Sequence, residues 1–201
     1  MTDSAPSHAG SDFRPRRGLG LAGLLRRLSA RLSVRRTRAA RLNASSMAPA
    51  PRLCESGEEI ALGSKLFHDC VRNGPGIGQT KNGLRIDCGA FDGSYVSLAV
   101  DLPAEQAAKI RVGMNLIVAF RAASSKALPV FLRAHFLNQE GREVLHDLIV
   151  IDSGARSVRF NLDGLRIPID QPTSAWVDVI LSDPAGTDVA LEDIALEVRP
   201  H

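Results

Sequence analysis

Short segments in which apolar and polar residues alternate follow one another from residue 57 to the C-terminus. Most of them are bounded by Gly, Asp, Asn or Pro, and only residues 104–110 between them have the composition of a helix. Short strands without intervening helices predict an all-β fold, an antiparallel β-sandwich or barrel in two layers. The expected strands are residues 59–67, 84–88, 95–102, 115–122, 129–137, 143–151, 157–162, 175–182 and 188–198.

Turn-forming residues predict where these strands reverse. Residues 138–141 have the composition of a tight hairpin turn, and residues 152–154, 163–164 and 183–186 predict further turns. In the last strand the apolar positions change from odd to even numbers between Leu191 and Ile194. This change predicts a β-bulge at Glu192 and Asp193.

Charge is distributed unevenly between the two ends of the chain. Residues 1–53 contain eleven arginines and no lysine against two aspartates, a net charge of +9. Residues 54–201 contain fourteen basic and twenty acidic residues, a net charge of −6. The split predicts a basic arm on an acidic body. The body therefore has no electrostatic reason to bind nucleic acid, and no sequence-specific nucleic-acid partner is expected.

The pattern of the first 53 residues predicts three parts before the β-sandwich domain of residues 54–201. Residues 1–18 are a disordered tail, residues 19–42 an arginine-rich amphipathic helix, and residues 43–53 a linker. Leucines at spacings of three and four form one face of this helix, and most arginines lie off that face. The residues expected to contact a membrane or a partner are Leu21, Leu24, Leu25, Arg26, Arg27, Leu28, Arg31, Leu32 and Arg35.

Four interpretations of this arm stay open. It is an interfacial helix on an anionic membrane, a nucleic-acid-binding segment without sequence selectivity, a targeting segment, or a helix that docks on the body or stays solvated. No apolar run approaches the ~20 residues of a bilayer span, so a transmembrane helix is not expected. An odd number of cysteines, three, favours reduced thiols and the cytoplasm. The membrane interpretation of the arm adds peripheral attachment at the inner membrane.

The C-terminal residues carry a family resemblance. Residues 176–184 (WVDVILSDP), 188–194 (DVALEDI) and 199–200 (RP), with residues 93–103, resemble an uncharacterised family of alphaproteobacterial proteins, a domain of unknown function. The order of elements resembles the jelly roll of carbohydrate-binding modules and galactose-binding-like domains. The resemblance covers about residues 80–200 and implies a jelly-roll-like sandwich without implying an activity.

Motifs for catalysis and metal binding are scarce. The cysteines lack zinc spacing, the glycine-rich residues 74–78 do not lead into a helix, and no Gly-x-Ser-x-Gly elbow occurs. His135 and His146 flank the hairpin turn symmetrically and face each other in one register, but no third ligand accompanies them. The sequence therefore predicts no enzyme and no cofactor. Its scattered aspartates leave open a structural calcium site assembled from distant positions.

Aromatic residues restrict the kind of ligand site. The chain has one Trp, one Tyr and seven Phe, and Phe120, Phe131, Phe136 and Phe160 are expected in the core. Trp176 begins a strand and is expected to pack in the core or at the strand end, with a role as a sugar-binding platform as the alternative. A glycan site would be shallow and polar, with Tyr95 or Trp176 reachable in a groove on one sheet. The candidate ligand residues are Arg133, His135, Asn138, Arg159, Asn161 and Trp176. The sequence thus predicts a module that recognises a polysaccharide or surface glycan, or alternatively a structural protein–protein interaction module marked by an exposed apolar patch.

Overall fold

One long hairpin organises the body in the computed structural model, which describes residues 52–139, 141–165 and 172–201. Strands β7 (Met114–Leu137) and β8 (Arg142–Asn161) pair antiparallel, with a register shift between Ala123 and Leu128. Before this shift β7 also pairs with β10 (Asp188–Pro200), and after it with β9 (Ser174–Ser182). The hairpin therefore belongs to both halves of one curled antiparallel sheet.

The remaining strands extend the two halves of the sheet in opposite directions. In the first half β10 pairs with β5 (Gly83–Asp87), β5 with β4 (Gly76–Gln79), and β4 with β1 (Arg52–Leu53). In the second half β9 pairs with β6 (Tyr95–Asp101), β6 with β3 (Ser64–His68), and β3 with β2 (Glu58–Ala61). A short helix α1 (Ala104–Ala107) and a 3-10 turn (Leu162–Gly164) complete the described elements.

A single apolar core lies between the two halves. On β9 the side chains of Val177, Val179 and Leu181 are buried in it, whereas Trp176 and Asp178 alternate with them and point the other way. This confirms the predicted all-β class and the antiparallel sandwich. The face of the second half that points away from the core, carried by β3, β6, β9 and the adjoining halves of β7 and β8, is called the outer face below.

Several predicted strand boundaries are wrong. Residues 59–67 form the hairpin of β2 and β3, which reverses where Gly63 adopts a φ of 70°, a value that suits glycine. The predicted strands 115–122 and 129–137 are the single strand β7, and 143–151 and 157–162 lie in β8. The predicted turn at residues 152–154 lies inside β8, with Ser153 opposite Ala123. Turn-forming residues here bend a paired strand and do not reverse it.

Other local predictions are confirmed. The register of β10 shifts between Glu192 and Ala195, and Asp193 has a φ of 52°, which is the predicted bulge. The turn at residues 183–186 is closed by the Thr187 N–H, which donates to the Pro184 carbonyl over 3.0 Å. The helix predicted at residues 104–110 is shorter in the structure, where α1 ends at Ala107.

The N-terminal assignments lie almost entirely outside the described residues. These comprise the disordered tail of residues 1–18, the amphipathic helix of residues 19–42 with its leucines and arginines, and the linker as far as residue 51. Strand β1 begins at Arg52, within the segment assigned to the linker. In the part of the chain that the structure describes, no helix has the length and apolar character needed to cross a bilayer.

Candidate functional site

The strand register places three rows of side chains across the outer face. The first row runs from His135 on β7 through Trp176 on β9 to Asp101 on β6. The second row comprises Arg133, Asp178, Ala99 and Lys65. The third row comprises Phe131, Ile180, Ser97 and Phe67. Residues that are far apart in the sequence therefore become neighbours at strand spacing, ~5 Å.

A groove of about 300 Å³ runs over this face. Its floor is low on β6, because Ser97 and Ala99 are small, and larger side chains on the neighbouring strands rise beside them. The lining residues are Phe67, Tyr95, Ser97, Ala99, Arg133, Trp176, Asp178 and Ile180. Tyr95 and Phe67 are 37% and 38% exposed, so aromatic surface borders the groove.

Trp176 is held in place by His135. The two residues are opposite each other on β9 and β7, and their rings stack with centroids 4.7 Å apart and an angle of 9° between the planes. His135 is only 2% exposed although it belongs to the outer face, because the indole covers it. The stacking restricts the tilt of the indole ring.

Arg142, the first residue of β8, fixes the hydrogen-bonding role of His135 Nδ1. Its Nη2 group donates to His135 Nδ1 over 2.6 Å, and its Nε group lies 3.2 Å from the same atom. Because a guanidinium has only donors, Nδ1 is the acceptor and the ring proton sits on Nε2. Nε2–H then donates to Asp178 Oδ2 over 2.8 Å. These two contacts therefore favour the tautomer of His135 that carries its proton on Nε2.

The same contacts decide which face of Trp176 is open. The Arg142 guanidinium carbon lies over the indole, 5.2 Å from the ring centroid. A guanidinium bonded to His135 at 2.6 Å cannot lie across the indole from it, so His135 and Arg142 cover the same face. The opposite face of the half-buried Trp176 is therefore the one available to the groove.

Both ring nitrogens of His135 are engaged within the protein, Nε2 with Asp178 and Nδ1 with Arg142. Elsewhere, burial raises the pKa of the Cys54 and Cys88 thiols to about 12. Burial and then Asp92 and Asp69 also raise the pKa of Cys70. Thiols in such surroundings are poor nucleophiles.

The structure brings three of the six predicted ligand residues together. Arg133, His135 and Trp176 lie in or beneath the groove. Asn138 lies at the end of the β7–β8 hairpin, where its Oδ1 accepts from the Gly141 N–H over 2.9 Å. Arg159 and Asn161 lie in a second cleft of about 310 Å³ at the edge of the sandwich, formed with residues 144–147.

Sequence reasoning missed the partners that define the site. Asp178 and Arg142 hold His135, and Phe67 borders the groove. The alternation of Tyr95, Ser97 and Ala99 was a usable signal, because two small residues beside a tyrosine on one face mark a depression. Phe120, Phe136 and Phe160 are buried as predicted, but Phe131 is 38% exposed because it is an odd-numbered residue of β7 and lies on the outer face.

The histidine pair flanking the hairpin does not form. His146 is opposite Arg133 and His135 is opposite Val144, so the register is offset by two residues from the symmetric one. No group of three or more His, Cys, Asp or Glu side chains within the described residues is placed to hold a metal ion. The calcium site that the aspartates leave open stays a hypothesis, addressed by the chelator arm of the experiment below.

Residues 29–201 match the family of unknown function DUF6478. The chain belongs to this family. This confirms the family of unknown function that the C-terminal residues resemble, and the alphaproteobacterial origin stays a prediction. No curated protein matches the chain.

Solved structures that resemble this DUF6478 member include carbohydrate-binding modules. A family 4 module has 14% sequence identity and a TM-score of 0.44, covering 69% of this chain and 96% of the module. The N-terminal cellulose-binding domain of β-1,4-glucanase C from Cellulomonas fimi has 13% identity and a TM-score of 0.44, covering 68% and 90%. A family 11 module from Clostridium thermocellum, solved with a β-1,3-1,4-mixed-linked tetrasaccharide, has 16% identity and a TM-score of 0.38, covering 75% and 96%.

Proposed function

We propose that the chain is a non-catalytic module that binds a polysaccharide or a surface glycan in the groove of the outer face. The observation that carries this proposal is the fixed indole of Trp176, covered on one face by His135 and Arg142 and bordering the groove. The apolar faces of sugar rings stack on aromatic rings. Sugar hydroxyl groups also need donors and acceptors, which Arg133 and Asp178 supply beside the indole.

The shape of the groove fits a segment of a longer chain. Its volume of about 300 Å³ is at the lower end of the range for small-molecule sites, ~300–1,000 Å³. The floor is made of strands, because all of the lining residues belong to β3, β6, β7 and β9. An internal stretch of one or two sugar units can lie across it while the polysaccharide continues on both sides.

Intrinsic fluorescence tests this function directly, because Trp176 is the only tryptophan in the chain. The full-length protein is titrated with a panel of neutral and acidic oligosaccharides, with calcium and with a chelator. A ligand that stacks on the indole is expected to shift or quench its emission in a saturable way. Loss of the response with the chelator would identify a calcium requirement.

Matched variants link the response to the groove. Trp176→Ala is expected to reduce affinity at least tenfold in calorimetry. Leu62→Ala, which truncates a side chain that is 90% exposed at the β2–β3 turn, is expected to leave affinity unchanged. Equal affinity in the two variants, or no saturable response to any glycan of the panel, would contradict the proposal.

A second candidate function rests on the apolar edge of the same face. Leu148 and Val150 on β8 are 54% and 57% exposed, and Leu148 is opposite Phe131. Contiguous exposed apolar side chains are typical of protein–protein contacts. A structural interaction module would lose a protein partner on Leu148→Ser with Val150→Ser, whereas a glycan module would retain its glycan affinity in that variant.

We also propose that the arginine-rich segment of residues 19–42 attaches the module to an anionic membrane surface at the cytoplasmic side of the inner membrane. The support is the sequence alone, leucines on one helical face and arginines off it. Deletion of residues 1–46 is expected to abolish binding to anionic liposomes. Unchanged liposome binding after this deletion would rule out the attachment.

A further inference from the structure

Arg133 is a cation without a partner in the lining of the groove, on the β7 side. It is exposed, and no hydrogen bond or ion pair joins it to any residue in the described part of the chain. Asp178 lies directly opposite it on β9, where an ion pair would be expected. Asp178 instead accepts the Nε2–H of His135 with Oδ2. The cluster that fixes Trp176 thus leaves the Arg133 guanidinium available.

Asp178 is the carboxylate directly opposite Arg133 in the strand register, and the other charged groups near Arg133 on the outer face are mostly cations. Lys65 lies three strands away in the same row, with Glu59 opposite it on β2 and Asp101 in the next row. Arg142 is engaged by His135, and His146 is exposed beside Arg133 on β8. Since residues 54–201 carry a net charge of −6, a free arginine here is not a consequence of a generally basic surface.

We propose that the ligand of the groove is an acidic polysaccharide, whose uronic acid carboxylate is bound by Arg133. This inference rests on the proposed glycan-binding function. A guanidinium matches a carboxylate through two parallel N–H···O contacts, which a neutral sugar cannot make. The ring of the same sugar stacks on the open face of Trp176, and Asp178 accepts a hydroxyl hydrogen. Arg133 is then the residue that determines specificity for the acid.

A matched pair of polymers isolates the carboxylate. The full-length protein is titrated with polygalacturonate oligosaccharides and with the same oligosaccharides after reduction of their carboxyl groups to alcohols. Arg133→Gln is expected to weaken binding of the acidic form about tenfold or more, the size of a lost charged hydrogen bond, and to leave the reduced form unaffected.

The basic N-terminal arm attracts any polyanion, so a control must remove the same charge elsewhere. Arg121→Gln is a suitable control, because Arg121 is exposed and lies outside the groove. It is on the part of β7 that pairs with β10, opposite Glu192. This control is expected to change affinity less than twofold. An equal effect of the two substitutions would show that the anion is bound by overall charge and would overturn the inference.

The outcomes separate this inference from the function beneath it. Binding of both polymers with equal affinity, lost in Trp176→Ala and unchanged in Arg133→Gln, retains the glycan module and overturns the acidic ligand. Binding that Trp176→Ala does not weaken for either polymer overturns both. A preference for the acidic polymer that disappears in Arg133→Gln and persists in Arg121→Gln supports both the glycan-binding function and the acidic ligand.

Discussion

His135 lies directly opposite Trp176 across the β7–β9 pair, and the two rings stack at 4.7 Å. The imidazole is buried on what would otherwise be a solvent-facing surface. It satisfies both ring nitrogens, with Arg142 on one side and Asp178 on the other. His135, Arg142 and Asp178 thereby hold the indole ring of Trp176 in place. A ligand that stacks on the free face of this ring loses little entropy, because the ring is already ordered.

The first prediction concerns this support. His135→Phe keeps a flat ring against the indole but leaves Arg142 and Asp178 without their partner. The free energy of unfolding is expected to fall by about 1–3 kcal/mol, measured by urea denaturation, because Asp178 and Arg142 lose their hydrogen bonds to a ring that is buried. His146→Phe, at an exposed position of β8, is expected to change it by less than about 0.5 kcal/mol. Equal effects would show that the hydrogen bonds of His135 contribute nothing.

The second prediction concerns Tyr95, the only tyrosine of the chain, which borders the groove from β6. Tyr95→Ala is expected to weaken glycan binding up to about tenfold through the loss of one aromatic contact. Tyr95→Phe keeps the ring and is expected to bind as the unmodified protein does. Titrations that follow Trp176 fluorescence measure both, and a Phe variant as weak as the Ala variant would assign the effect to the hydroxyl group.

The third prediction concerns the close approach of β5 to the bulge of β10. A Cβ atom at Gly83 would lie 2.1 Å from the Leu191 carbonyl oxygen and 2.8 Å from the Glu192 Cα. Gly83→Ala is therefore expected to lower the free energy of unfolding by about 2 kcal/mol or more, because backbone must move. Gly164→Ala is the matched control, since a Cβ there meets nothing within 4 Å. Similar melting temperatures for the two variants would contradict the packing at the bulge.

The fourth prediction concerns pH. Asp69 accepts from the Ser94 hydroxyl and from the backbone N–H groups of Ser94 and Tyr95, which hold its pKa below the ordinary value. A carboxyl group whose pKa is lowered on folding stabilises the protein above its unfolded pKa, and this contribution is lost as pH falls through the folded pKa.

Asp69→Asn is accordingly expected to destabilise the protein at neutral pH. The difference in the free energy of unfolding between this variant and the unmodified protein should shrink below about pH 4. There the Asp69 carboxyl group becomes protonated in the unfolded protein, and at lower pH in the folded protein as well. Urea denaturation at several pH values measures it. Glu105→Gln on α1 is the control. A difference for Asp69→Asn that stays constant down to pH 2 would show that the carboxylate charge is not involved.

Much of the fold could be predicted because strand signals are local. Alternation marks which residues of β9 are buried, and the change from Leu191 to Ile194 marks the bulge of β10. Strand continuity was not predictable in the same way. Pro129 suggests a strand boundary, yet it lies inside β7 between the stretch paired with β10 and the stretch paired with β9. Its missing N–H is tolerated there, because neither β10 nor β9 pairs with Pro129, although β8 does, with Val150 opposite it.

The site was predicted in part, for a related reason. Arg133, His135 and Trp176 were selected as polar or aromatic residues on strands, whereas Arg159 and Asn161 were selected by the same criteria and lie in a different cleft. Residue type and alternation gave no means to separate the two groups. The separation depends on the bend of the β7–β8 hairpin, which places the two halves of β8 in different halves of the sheet.

The sequence by itself determined the all-β class, the buried face of most strands and the family to which the chain belongs, since these follow from local alternation and from residues read in order. Only the tertiary structure decided the strand register, and with it the neighbours of each outward side chain. Alternation repeats every two residues, so it assigns a face but not a partner, and a shift of two residues leaves the pattern unchanged. The register found in the structure is shifted by two residues from the one that would pair His135 with His146. His135 lies opposite Trp176 instead.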